Sequence, residues 1–251
     1  MDFDISHLLD AWEFRPGQVL VRRFRSRDGT EKLQLRVDLG LLQMNLQGRP
    51  DGKRPFGFPS LLEYYQSRLY KHVATHDGQD AAFRLNAEDC AKMHLEAMQY
   101  HQRSFCLLQL EEYAAVVRDA ERNLAVLSFV ARHAQTEEMA WSLCQFEPQI
   151  WLVLSRAKAA EALQANDYPL AVQVLEDGLE HLRAFFREHG RPEAAEQSGE
   201  VSSLEAMLEE IRAQRPLTPR ERLERALEEA VKREDYERAA QVRDELRNLA
   251  D

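Results

Sequence analysis

From Asn86 to the end of the chain, nearly every apolar residue belongs to a stripe with helical period. Cys90, Met93, Ala97, Met98, Tyr100 and Phe105 recur at steps that place them along one side of a helix. Val116, Val117, Ala120, Leu124, Leu127 and Val130 do the same, as do Ile150, Trp151, Leu154, Ala157, Ala160 and Leu163. A chain patterned this way must stack amphipathic helices and cannot close a barrel or a sandwich. Little interrupts the pattern, because 251 residues contain only 10 Gly and 9 Pro. With 44% hydrophobic residues, the length supports one large domain or two modest ones with a real core.

The punctuation divides this stretch into separate helices. Asn86 caps the first, with Glu88 and Asp89 in the turn where the helix dipole favours negative charge. A second helix runs from Tyr113 to Ala134, Thr136 opens a third, and Pro148 starts or kinks the next. Asp167 caps a helix that ends at His189-Gly190. A polar loop over 191–200 leads into a shorter helix over 201–215, and the acidic residues between Glu193 and Glu210 read as its solvent face.

Only the first third has strand character. Leu33, Leu35, Val37 and Leu39 alternate with Gln34, Arg36 and Asp38, the period of a half-buried strand. Asp28-Gly29 supplies the positive φ of a tight hairpin back to the run from Gln18 to Arg25. Leu42, Met44 and Leu46 alternate again, which predicts a third antiparallel strand stopped by Gly48-Arg49-Pro50-Asp51-Gly52. Ser60 then caps a helix to about His76, with Leu61, Leu62, Tyr65, Leu69 and His72 inward. The expected fold class is mainly α with a small N-terminal β meander.

Charge follows the same division. Residues 1–84 carry 13 Lys/Arg against 11 Asp/Glu, residues 85–215 carry 12 against 22, and residues 216–251 carry 8 against 10. Three regions are expected with those bounds: an α+β piece, a helical-hairpin body and a C-terminal hairpin. The net charge of −10 argues against a general polyanion binder. No apolar run is long enough to span a membrane, the start is acidic rather than signal-like, and three distant cysteines suit reduced thiols. A cytoplasmic location is the expectation.

Three corners share one grammar. Leu110-Glu111-Glu112-Tyr113-Ala114, Asn166-Asp167-Tyr168-Pro169-Leu170-Ala171 and Glu234-Asp235-Tyr236-Glu237-Arg238-Ala239 each give a polar corner, a Tyr, then small residues opening a helix. The Tyr is expected to plug the gap between antiparallel helices, while Ala lets their axes approach. The first two corners resemble those of tetratricopeptide repeats. Their tyrosines stand 55 residues apart, so they indicate a pair of repeat-like hairpins rather than a regular array.

The C-terminal region begins with Thr218 as N-cap, Pro219 at the first helical position and Glu221 reaching back. Leu223, Ala226, Leu227, Ala230 and Val231 form one apolar stripe; Tyr236, Ala239, Ala240, Arg243, Leu246 and Leu249 face it. Two helices of this size cannot bury enough surface to stand alone and should dock on something.

The segment LERALEEAVKREDYERAAQVRDELRNL, residues 223–249, resembles the UVR motif of UvrB and UvrC. That motif also occurs in an activator of protein arginine kinase and in Clp-type ATPases. The resemblance rests on the aromatic after the acidic corner, the Ala-Ala pair and Arg243-Asp244. It implies a protein–protein module, which in UvrB and UvrC packs two such hairpins head to head. On that likeness Tyr236 is the anchor, with Leu227, Ala239, Arg243 and Leu246 sharing the contact face. The rest of the chain lacks a Walker P-loop, a GIY-YIG signature and CxxC pairs. Its layout, with DISHLLDAW and a GRPDG loop, resembles a group of bacterial UVR-domain proteins, a likeness that brings no activity with it.

Other candidates have plain structural readings. His72 and His76, and His94 and His101 with Cys90, have spacings compatible with metal ligation, yet no HExxH or carboxylate pair accompanies them. Arg49, Lys53 and Arg54 beside Phe56 and Phe58 combine charge and aromaticity as nucleic-acid contacts do, and Arg22, Arg23, Arg25 and Arg27 could extend them. The expected function is a non-catalytic adaptor or scaffold, with no cofactor or metal, whose hairpin binds a protein partner such as another UVR hairpin or a Clp or repair component. A homodimer is compatible with it. The alternative is a DNA-repair accessory touching nucleic acid through Arg49, Lys53 and Arg54.

Overall fold

The computed structural model describes residues 4–214 and 219–248. It divides into two compact units, Met1–Leu208 and Glu209–Asp251. The first unit begins with a short helix, α1 (Ser6–Asp10), and a three-stranded antiparallel meander, β1 (Leu20–Arg25), β2 (Glu31–Val37) and β3 (Gly40–Asn45). The hairpin closes where Asp28-Gly29 directs it: Gly29 has φ +83°, its amide donates to the Ser26 carbonyl at 2.9 Å, and Arg25 pairs with Glu31. The Ser26 hydroxyl and the Thr30 amide together hold the exposed Asp28 carboxyl down at about 2.

The sheet departs from the alternation in two ways. Leu39 is 88% exposed, because Val37 pairs with Gly40 and leaves Leu39 at the tip of the turn. Gln34 and Arg36, on the polar side, are buried. Arg36 Nε donates to the Trp12 carbonyl at 2.7 Å, Arg22 Nε donates to Gln34 Oε1 at 2.8 Å, and the Arg22 guanidinium lies 4.3 Å from the Trp12 ring centre. The segment before β1 therefore covers the second face through polar contacts that hydrophobic periodicity does not report.

The helices follow as α2 (Leu61–Thr75), α3 (Ala87–Gln109), α4 (Tyr113–His133), α5 (Glu137–Cys144), α6 (Glu147–Gln164), α7 (Tyr168–Glu188) and α8 (Gly199–Gln214). Their starts match the capping signals: Ser60 accepts from the Leu62 amide, Asn86 and Asp89 form a full capping box, and Thr136 and Asp167 cap α5 and α7. Pro148 lies in the first turn of α6 and so starts that helix rather than kinking it. α8 begins two residues before the expected Val201. Its expected last residue, Arg215, lies outside the described residues, as do Thr218 and Leu249, and nothing is described of the Glu221 side chain.

Among the apolar clusters that hold the described residues of this unit, two position the sheet and the first helices. One joins Leu61, Leu62 and Tyr65 to Met93, Leu127, Val130, Leu143 and Ile150; the other seats Leu33, Met44 and Leu46 on Cys106, Leu107, Val116 and Val153. α6 and α7 approach closely at Gly178, where an added Cβ would stand 2.2 Å from Ser155 Oγ and 3.2 Å from Leu204. The second unit contains the hairpin of α9 (Pro219–Lys232) and α10 (Tyr236–Asn248).

Candidate interaction surface

In the hairpin the chain turns at Glu234, which holds φ +59°. The Asp235 amide donates back to the Ala230 carbonyl at 2.9 Å and the Glu234 amide to Val231 at 3.0 Å, a Schellman closure of α9. Asp235 Oδ1 then accepts from the Arg238 amide at 3.0 Å and opens α10. Ala230, Ala239 and Val242 are buried, so small side chains carry the helix contact. Leu223, Ala226, Leu227 and Leu246 are half-buried.

Among the charged residues that stay outside, two large apolar ones sit at the corner. Tyr236 is 70% exposed and Val231 51%. Tyr236 therefore does not plug the hairpin as its position in the motif suggested; the small residues close the gap and push the ring outward. Of the five residues expected to share a contact face, Ala239 is buried, Leu227 and Leu246 are half-buried, and Tyr236 and Arg243 are exposed. Arg243 lies 3.1 Å from its neighbour Asp244, an exposed pair contributing little to stability. Val242 was missed in the sequence, although its step of three from Ala239 and four to Leu246 marks it.

The basic loop has a different structure from the one its composition suggested. The GRPDG turn folds back on β3, with the Asn45 amide donating to the Pro50 carbonyl at 2.8 Å. Gly52 has φ +72°, and a Cβ there would lie 2.5 Å from Asn45 Nδ2. Arg49 turns inward, 2.9 Å from Asp51 and 3.0 Å from Glu96. Glu96 is fully buried and also accepts from the Leu61 amide at 3.0 Å and from Arg122. Beside it Arg103 grips Asp119 with two bonds, 2.6 and 2.8 Å, and donates to the Asn45 and Gly48 carbonyls. Arg49 is thus part of a buried ionic clamp holding the loop to α3 and α4. Lys53 and Arg54 stay exposed beside Phe56, which holds φ +52° and stacks on Tyr64 at 4.2 Å. Farther along the sheet, Arg23 is paired with Glu31 and Glu112.

The histidines engage aromatic rings. His72 and His76 stack at 3.9 Å, while His94 meets Phe146 and His101 meets Phe105 edge-on. Among the described residues, no three of His, Cys, Asp and Glu gather where a metal ion could sit. All three cysteines are buried, and burial pushes the Cys106 and Cys144 thiols up to about 11. Trp151 stacks on His181 at 3.8 Å, and Trp141 lies against Phe185 and His189. No helix among the described residues is long and apolar enough to cross a membrane.

One comparison with known proteins reaches the hairpin. No curated protein and no solved structure matches the chain. The family model of the UvrB/uvrC motif matches residues 220–251, which take in α9 from its second residue, the Tyr236 corner and α10.

Proposed function

We propose that this chain is a non-catalytic adaptor whose C-terminal hairpin docks a UVR-type hairpin of a partner protein, in a DNA-repair or Clp-type stress-response setting. The observation that carries the proposal is the 70% exposure of Tyr236, within a segment that matches the UvrB/uvrC motif. An aromatic with a polar tip is well suited to anchor an interface: it covers much area with few rotatable bonds. Leu227 and Leu246 widen the contact, and Arg243 stands at its rim.

The test is capture of a UvrB-type hairpin by the full chain, with wild type and Tyr236→Asp compared side by side. Wild type should retain the hairpin and the variant should lose it at least tenfold, the usual minimum cost of a buried anchor. Equal retention by both would remove the hairpin from the binding role. The nucleic-acid reading keeps Lys53 and Arg54 as exposed cations, but Arg49 is already neutralised by Glu96 and Asp51. The docking reading therefore has the stronger support.

A further inference from the structure

The helical body contains a cavity that the adaptor reading does not use. It lies between α3, α4 and the α5–α6 junction and has a volume of about 160 Å³. Its floor is formed by the buried Asn123, Leu127, Leu143 and Ile150, and its rim by His94, Ala97, Met98, His101, Phe146 and Gln149. The walls are almost wholly carbon. Asn123, the polar residue of the floor, is already committed: its Nδ2 donates to the Ala97 carbonyl at 2.9 Å and its Oδ1 accepts from Arg122 at 3.1 Å. The gap has a cause in the sequence. Ala97 carries no atoms beyond Cβ on this wall, and Met98, which also lines it, is 42% exposed.

The space is half open to solvent, and its carbon walls offer an entering water none of the two to four polar partners that would hold it in place. It also forfeits the dispersion contacts that close packing would supply. An engineered apolar cavity of about 150 Å³ in another protein stays dry and takes up benzene. The volume and apolar lining here are similar, and this space differs in being half open to solvent.

We infer that the α3–α6 cavity is a binding site for a small neutral apolar molecule of about one aromatic ring. A polar or charged group gains nothing on the floor, whose polar residue Asn123 is already bonded on both sides. Burial lowers the pKa of His101, which favours the neutral form of that rim imidazole. The site lies in the first compact unit, and its occupancy is independent of the Tyr236 surface.

Benzene is the probe. At ten times its dissociation constant it should raise the melting temperature of the full chain by about 4 °C. In methyl NMR spectra it should shift the signals of Leu127, Leu143 and Ile150 and leave Leu223 and Leu246 in place. Ala97→Leu fills the cavity and should abolish both responses. Unchanged Leu127, Leu143 and Ile150 signals in wild type at millimolar benzene would overturn the assignment, whether or not the filled variant folds. An equal thermal response in Ala97→Leu would place the binding elsewhere and overturn it as well.

Discussion

The corner between α3 and α4 and the corner between α9 and α10 have the same backbone and different fates. Glu111 and Glu234 both hold φ +59°, and the corner between α6 and α7 repeats it with Asn166 at +58°. In each, the next residue's amide donates back five residues, Glu112 to Leu107, Asp167 to Ala162 and Asp235 to Ala230, all at 2.9 Å. In each the following residue is a tyrosine that opens a helix. Yet Tyr113 packs on the cluster under the sheet, and burial raises its pKa, whereas Tyr236 is 70% exposed. One local rule thus gives a half-buried Tyr packed on the cluster under the sheet at one corner and an exposed Tyr at the other. The corner motif specifies the turn; what surrounds it decides whether its Tyr serves stability or recognition.

The largest expected effect lies on the body side of this comparison. Asp119 is 1% exposed and bound by Arg103, so Asp119→Ala leaves a buried guanidinium unpaired and should cost about 3–5 kcal/mol. The matching change in the hairpin, Asp244→Ala, removes an exposed partner and should cost less than about 0.5 kcal/mol. Denaturant unfolding followed by tryptophan fluorescence reads the first, because Trp12, Trp141 and Trp151 all lie in the first unit. Amide exchange in α9 and α10 reads the second. Comparable losses in both would mean that the two units are not stabilised differently.

The tyrosines themselves sharpen the contrast. Tyr113→Ala should destabilise the body by about 2 kcal/mol through lost packing, while Tyr236→Ala should leave stability within about 0.5 kcal/mol. Gly178→Ala tests the close approach of α6 and α7. The added methyl meets Ser155, and a loss of about 1–3 kcal/mol is expected in the same fluorescence assay.

A pH scan separates the units again. Burial lowers the pKa of His133 and of His101, both in the first unit. Groups held below their usual value near 6.5 give stability that is fully present above that pH and drains away as pH falls through the lowered folded values. The body should therefore lose melting temperature on acidification below about pH 6, and His133→Gln should flatten the slope. Asp80 on one side and Arg84 and Arg132 on the other oppose each other at His133, so burial sets the direction.

These contrasts also mark what was readable in the sequence. The helix starts were legible because Ser60, Asn86, Thr136 and Asp167 satisfy orphan amides by local chemistry, which needs no knowledge of the fold. The sheet hairpin was legible for the same reason at Asp28-Gly29. The ionic clamp was not. Glu96, Arg103 and Asp119 look like ordinary helix-surface charges, and only the return of the GRPDG loop over α3 makes them internal. Arg49 was assigned to a ligand surface by the same blindness, since charge in a loop reads as exposed until its carboxylate partners are placed. Tyr236 stands out by its place after the acidic corner, but it does not fill the gap between α9 and α10, being 70% exposed. Its aromatic character and spacing are local, whereas its exposure is a property of the folded hairpin, where Ala230, Ala239 and Val242 make the helix contact.

The smallest expected effect bears most directly on why the corners agree. A left-handed residue other than glycine or asparagine carries a backbone penalty of about 1–2 kcal/mol, and evolution of a stable corner would favour Gly there. Two of the three positions hold Glu instead, Glu111 and Glu234. Replacing Glu with Gly relieves the left-handed strain and gives back part of the gain through the greater entropy of the unfolded chain. A net stabilisation of about 0.5–1 kcal/mol is expected for Glu111→Gly in tryptophan-monitored unfolding. Glu234→Gly should slow amide exchange in α10 by a corresponding factor of about 2–5. If the corner is only a turn, Glu234→Gly will also leave capture of a UvrB-type hairpin unchanged. If binding falls while the hairpin grows more stable, the Glu234 carboxylate itself touches the partner, and the recognition surface extends from Tyr236 around the corner to the acidic residue that holds it open.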